Sequence, residues 1–147
     1  MNGRRMDPEI NKVIDNIKQL EMLKDMETKA FADEDGYADI VSHRLAKERS
    51  IRPKLKTSQL RKFFGAIRDI ERENDWEKME TQFFLLKPKL ANSRGRELIP
   101  EEFYQVMKVC MGKVDKGSDQ DKVENFNRMV EFLEAIVAYY KYYNPRS

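Results

Sequence analysis

One cysteine, Cys110, and one histidine, His43, stand in a chain of 147 residues. A lone cysteine excludes an intramolecular disulfide framework and suits a reducing compartment. One residue of each kind also excludes a zinc site built from the His and Cys of a single chain. Glycine is scarce, with six residues, and no glycine-rich phosphate loop occurs. No apolar run approaches the roughly 18 residues of a membrane span. Residues 1–5 are basic, but amphipathic spacing follows instead of the apolar stretch of a signal peptide. Alternating strand patterns, internal repeats and low-complexity segments are missing as well. These absences predict a soluble, cytoplasmic, all-α protein, 1–147 forming one domain, with no cofactor, no metal and no membrane partner.

Catalytic machinery is equally thin. A serine nucleophile needs a base beside it, and only His43 could serve, with no third group to orient it. Asp33-Glu34-Asp35-Gly36 has the acids and glycine that open a calcium loop. Its register, however, puts Phe31 at the first ligand position and Ser42 at the twelfth, so a solvated acidic turn is expected. The acids elsewhere lie at the spacing of solvated helix faces. The chain reads as a binding protein, not an enzyme.

What is abundant is charge, and it is unevenly placed. The net charge is only +2. Residues 44–68 nevertheless carry nine basic side chains against one acid, Glu48, and residues 87–96 carry four with no acid. The intervening 69–86 and the first 43 residues are each net −4. Basic groups gathered into two acid-poor segments are the footprint expected for a polyanion.

Apolar spacing divides the chain into five to six helices, a helical bundle. Asp7-Pro8 opens the first, with Asp as N-cap and Pro at N1, and Ile10, Val13, Ile14, Ile17 and Leu20 keep helical spacing. An acidic loop over 31–36 breaks it. A short helix through Ile40, Val41 and Leu45 ends before Arg52-Pro53. Thr57 or Ser58 is expected to cap a helix with a core face of Leu60, Phe63, Phe64, Ile67 and Ile70, continuing through Trp76, Met79 and Phe83 until Pro88 stops or kinks it. Residues 92–96 read as a loop, Pro100 as N1 of the next helix, and Ser118 with Asp121 as a capping box. The last helix, about 119–143, is apolar on most of its circumference, which places it centrally in the core or in a subunit interface. Its apolar surplus predicts self-association, as a dimer or a filament.

On the helix beginning near Ser58, Arg61, Gly65, Arg68 and Arg72 fall on one stripe well away from the core face. Glycine there could admit a close backbone approach. Upstream, Pro53 holds Arg52, Lys54 and Lys56 in an extended stretch; downstream, Lys87, Lys89, Arg94 and Arg96 crowd around the expected loop.

Three segments, LKTSQLRKFFGAIRDIE (55–71), LKPKLANSRGR (86–96) and FLEAIVAYYKYY (132–143), resemble the small helical subunit of type III-A CRISPR effector complexes, the Csm type. The resemblance covers about 54–143, a family-like core, while residues 1–50 form variable N-terminal helices. One departure stands in the second segment. Where the family commonly has an aromatic, this chain has Asn92-Ser93-Arg94. The resemblance implies a noncatalytic subunit, several copies of which line a guide RNA–target RNA duplex beside the other subunits of the complex, in antiviral defence. Base pairing would read sequence, and the protein would hold phosphates and A-form shape. Carried over by motif, the RNA contacts are Lys54, Lys56, Arg61, Lys62 and Arg68 from the first segment and Lys87, Lys89 and Arg96 from the second. Two readings compete: a helical interaction module whose basic face meets an acidic protein, and a compact DNA-binding helical domain. Salt dependence of affinity separates nucleic acid from protein, and RNA/DNA competition separates the last.

Overall fold

The computed structural model describes residues 5–146 and contains seven α-helices, a short 3-10 turn and no strand among the described residues. The helices are α1 (Pro8–Lys18), α2 (Thr28–Ala32), α3 (Tyr37–Lys47), α4 (Thr57–Glu71), α5 (Trp76–Gly95), α6 (Glu101–Gly112) and α7 (Asp119–Tyr143), with the 3-10 turn at Leu23–Asp25. The architecture is all-α, as expected.

α7 is the axis of the fold. It packs against α2, α3, α4, α5 and the 3-10 turn, while α1 lies on α3 and α6, and α6 on α5. Its apolar girdle resolves toward the core-central alternative: Phe126, Met129, Phe132, Leu133, Ile136 and Tyr140 are all fully buried. Most of the surplus that suggested a subunit interface is therefore covered within the chain, with Val137 and Tyr139 half-buried and Ala138 and Tyr142 exposed. Ser118 and Asp121 form the expected capping box, the Ser118 Oγ accepting from the Asp121 N–H at 3.1 Å and the Asp121 carboxylate from the Ser118 N–H at 3.0 Å.

α1 begins as read. Asp7 accepts from the Glu9 and Ile10 N–H groups at 3.1 and 3.0 Å, and Arg44 of α3 clamps the same carboxylate through Nε and Nη2. A buried acid at a helix start thus has backbone and guanidinium donors together, which offsets its desolvation.

Five local expectations give way to stronger local chemistry. The acidic loop is only 33–36, because Phe31 belongs to α2 and packs edge-on against Phe132, with ring centroids 5.8 Å apart. α4 starts at Thr57 itself, with Lys56 in the N-cap position and no side-chain cap. α4 does not continue into Trp76, since Asn74 adopts a positive φ of 48° and Asp75 caps a new helix by accepting from the Glu77 N–H. Asn tolerates that left-handed conformation, and Asp is a preferred cap. Of the two alternatives at Pro88, a stop or a kink, the stop is excluded, because α5 runs on to Gly95. The carbonyl that loses its donor belongs to Phe84, and both residues lie on an exposed face where water can replace the missing N–H. Pro100 occupies the N-cap of α6, one position earlier than expected.

Candidate nucleic-acid interface

The eight cations carried over from the sequence are all exposed, and the fold distributes them over several faces. The stretch before α4 alternates: Ile51 and Leu55 point into the core, whereas Arg52, Lys54 and Lys56 point out. The Tyr140 hydroxyl of α7 donates to the Leu55 carbonyl, which ties this strap to the central helix.

On α4 the arginine stripe faces outward, but its charges are not equally available. Arg72 reaches Asp69 at 2.6 Å and Arg68 reaches Glu71 at 3.4 Å, while Arg61 makes no ion pair among the described residues. Arg68 also lies over the Phe64 ring, 5.7 Å from its centroid. Phe63 and Phe64, expected as core, are only half-buried; Leu60 and Ile67 carry the buried face. At Gly65 an added Cβ would meet nothing within 4 Å, so internal packing does not require glycine there.

Lys62 lies about 100° around α4 from Arg61 and therefore faces another surface. It rims a cleft of about 360 Å³ between α4 and α5, closed at one end by the start of α6. Phe63, Ala66, Leu86, Leu90, Ile99 and Phe103 line it with apolar groups. Lys89 and Arg96 join Lys62, and Gln59, Asn92 and Ser93 add neutral polar groups. Phe63 and Phe103 meet edge to face, centroids 6.1 Å apart, which fixes the aromatic wall.

The structure thus brings together Lys62, Lys89 and Arg96, one from the first basic segment and two from the second. It does not bring Arg61, Arg68, Lys54 or Lys56 into that cleft. Lys87 is also outside it, resting over the rings of Phe83 and Phe84 at 5.8 and 5.3 Å. Residues 92–95 are the last turn of α5 and not the expected loop, so Leu86, Lys89 and Ser93 recur at spacings of three and four on one face, and Arg96 follows at the C-cap.

Arg94, read as one of the cations around the expected loop, is locked to α6 instead. Its Nε donates to Glu101 at 2.8 Å and its Nη1 to the Ile99 carbonyl at 3.3 Å. Glu101, also bonded by Gln105 at 2.6 Å, is held below the usual glutamate range by these hydrogen bonds against an opposing effect of burial.

Among the described residues no group of three or more His, Cys, Asp or Glu side chains could hold a metal ion. Cys110 is buried, and burial pushes its thiol well above the ordinary range, as for an inert core thiol. His43 is exposed and packs edge-on to Tyr143, centroids 4.9 Å apart. No helix of the described residues is long and apolar enough to cross a membrane.

A family model described as Csm2 Type III-A matches residues 33–146. The chain belongs to the Csm2 family. The match begins at residue 33, so it takes in α3, which the sequence resemblance had left outside. Csm2 proteins are small subunits of the type III-A CRISPR effector complex, associated with its other subunits. No curated protein and no solved structure matches the chain significantly.

Proposed function

We propose that this Csm2-family chain is the noncatalytic RNA-binding small subunit of its complex, lining the guide RNA–target RNA duplex through phosphate contacts in cytoplasmic antiviral defence. The observation that carries this reading is the state of the cations. Lys54, Lys56, Arg61, Lys62, Lys87, Lys89 and Arg96 are exposed and make no ion pair among the described residues. Cations without a carboxylate partner of their own can neutralise phosphates and release counterions, without first breaking an ion pair inside the protein. Their spread over several faces suits a polyanion that runs along the surface, and A-form duplexes are held by shape and backbone.

Exposed apolar side chains on α5, Phe84 at 38% and Leu85 at 44%, supply a surface for contact with sibling subunits or further copies of this chain. We take residues 1–147 as one helical domain, with 54–143 carrying the RNA contacts.

The test is equilibrium binding of the full chain to RNA across a salt series, with DNA and an acidic protein as competitors. Log affinity should fall linearly with log salt, and RNA should outcompete both. Affinity indifferent to salt would remove the phosphate reading.

A further inference from the structure

We propose that the α4–α5 cleft holds one nucleotide unit, its base against the apolar lining and its phosphate on Lys62, Lys89 and Arg96. The inference rests on the RNA reading for the source of that nucleotide, and the two fail separately in the experiment below.

Three properties of the cleft combine to select this ligand. Its volume, about 360 Å³, falls at the small end of ligand pockets, suited to a single unit and not to an extended chain. Its lining is aromatic and aliphatic, with Phe63 and Phe103 at one wall, and every base presents an apolar π-face to such a surface. Its margin carries three cations and no carboxylate. An apolar ligand would leave those cations unused, and a bare phosphate would leave the apolar lining wet. The amides of Gln59 and Asn92 and the hydroxyl of Ser93 add donors and acceptors that can meet the edge of a base. An alkyl chain would leave those groups unpaired.

The cleft differs in kind from the arginine stripe of α4. The stripe, like a strap of lysines, offers charge to any backbone. The cleft asks for a base lifted out of its stack, the form in which single-stranded RNA is commonly read. The same chemistry could arrive as an unstacked residue of an RNA strand or as a free mononucleotide.

The experiment titrates the full chain with adenosine 5′-monophosphate, ribose 5-phosphate and adenosine, followed by backbone amide shifts. Adenosine 5′-monophosphate should bind at least tenfold more tightly than either fragment, with shifts centred on Lys62, Ala66, Asn92 and Ser93. Ala66→Phe should abolish this by filling the cleft. Lys62→Glu with Lys89→Glu, both on exposed side chains, provides a variant that should fold normally. It should weaken the nucleotide tenfold or more while leaving adenosine unchanged. An RNA oligonucleotide carrying one 2-aminopurine then identifies the source. An emission change that Ala66→Phe removes while salt-linked RNA binding persists assigns the cleft to the strand, and selective mononucleotide binding without that change assigns it to free nucleotide. If ribose 5-phosphate binds as well as adenosine 5′-monophosphate, or neither perturbs the cleft, the proposal is overturned. Salt-linked RNA binding through Arg61 and Arg68 would survive that result. Conversely, loss of salt-linked RNA binding with selective mononucleotide binding intact would sink the RNA reading alone.

Discussion

Arg44 holds Asp7 through two donors, Nε at 2.9 Å and Nη2 at 2.7 Å, both on the same carboxylate oxygen. The contact fastens α3 to the first turn of α1. Arg44 also reaches Glu48 at 3.0 Å, so it keeps a partner if Asp7 is neutralised, whereas Asp7 would be left in a buried position if Arg44 is removed. Arg44→Met should therefore cost about 2–3 kcal/mol, below the roughly 3–5 kcal/mol of a fully buried pair because Arg44 keeps part of its side chain in water. Asp7→Asn should cost less. Urea unfolding of both variants measures the asymmetry, and the reverse order would show that the cap, not the pair, carries the contact.

Arg61→Glu combined with Arg68→Glu should weaken RNA binding across all sequences and flatten its salt dependence. Each phosphate that is no longer neutralised removes roughly 0.7–0.9 of a unit of slope. Arg61 should contribute more than Arg68, which already faces Glu71. Stability should change by less than about 0.5 kcal/mol, as for exposed charges generally. Leu60→Ala on the buried face of the same helix is the matched control and should cost about 2–5 kcal/mol. In the assembled complex the charge reversals should lower target-RNA affinity without moving the positions of cleavage.

Gly65→Ala separates folding from binding at one position. With open space around the added methyl group and a helical backbone, it should stabilise the chain by about 0.5–1 kcal/mol. If an RNA backbone passes close over Gly65, affinity should drop despite the stability gain. Thermal unfolding and RNA titration on the same preparation read both effects.

Acid should loosen the joint between the 3-10 turn and the start of α7. Lys24 bridges Asp121 at 2.5 Å and Glu124 at 2.8 Å. The hydrogen bond from Lys24, with further ones from Ser118, holds the Asp121 carboxyl down at about 2. A carboxyl depressed in the folded state contributes stability that is complete above its unfolded value near 3.9 and is lost as pH falls toward about 2. Lys24→Met should flatten the fall of the urea midpoint over that window. A parallel curve in both proteins would exclude the bridge as the acid-sensitive joint.

Two helix starts with an oxygen-bearing cap, at Asp7 and Ser118, were legible in the sequence, as were long periodic faces. Asp7 and Ser118 cap where read, and the apolar spacing of α7 gives its bounds. The breaks were less legible, because each depends on surroundings that local pattern does not contain. Pro88 reads as a stop or a kink, yet α5 runs on through it, on an exposed face where the orphaned carbonyl of Phe84 meets water. Asn74 and Asp75 carry the real break, but apolar periodicity runs through them to Trp76 and Met79. The site suffered from the same ambiguity. Lys62, Lys89 and Arg96 stand out in the sequence as basic residues, while the cleft that unites them depends on α5 continuing past Pro88. Arg94 shows the converse: its charge looked available, and its guanidinium is occupied by Glu101 and the Ile99 carbonyl.

The hydrogen bond from Tyr140 to the Leu55 carbonyl has a mechanical consequence. It joins the central helix directly to the strap that displays Lys54 and Lys56, so these lysines stand on a preset backbone. A polyanion gripping them need not order a loose segment first, which removes part of the entropy that association otherwise costs. The coupling also runs outward. Tyr140→Phe leaves the ring in the core and removes this tie from the strap, so a weakened grip on a distant anion would be felt with the core itself intact.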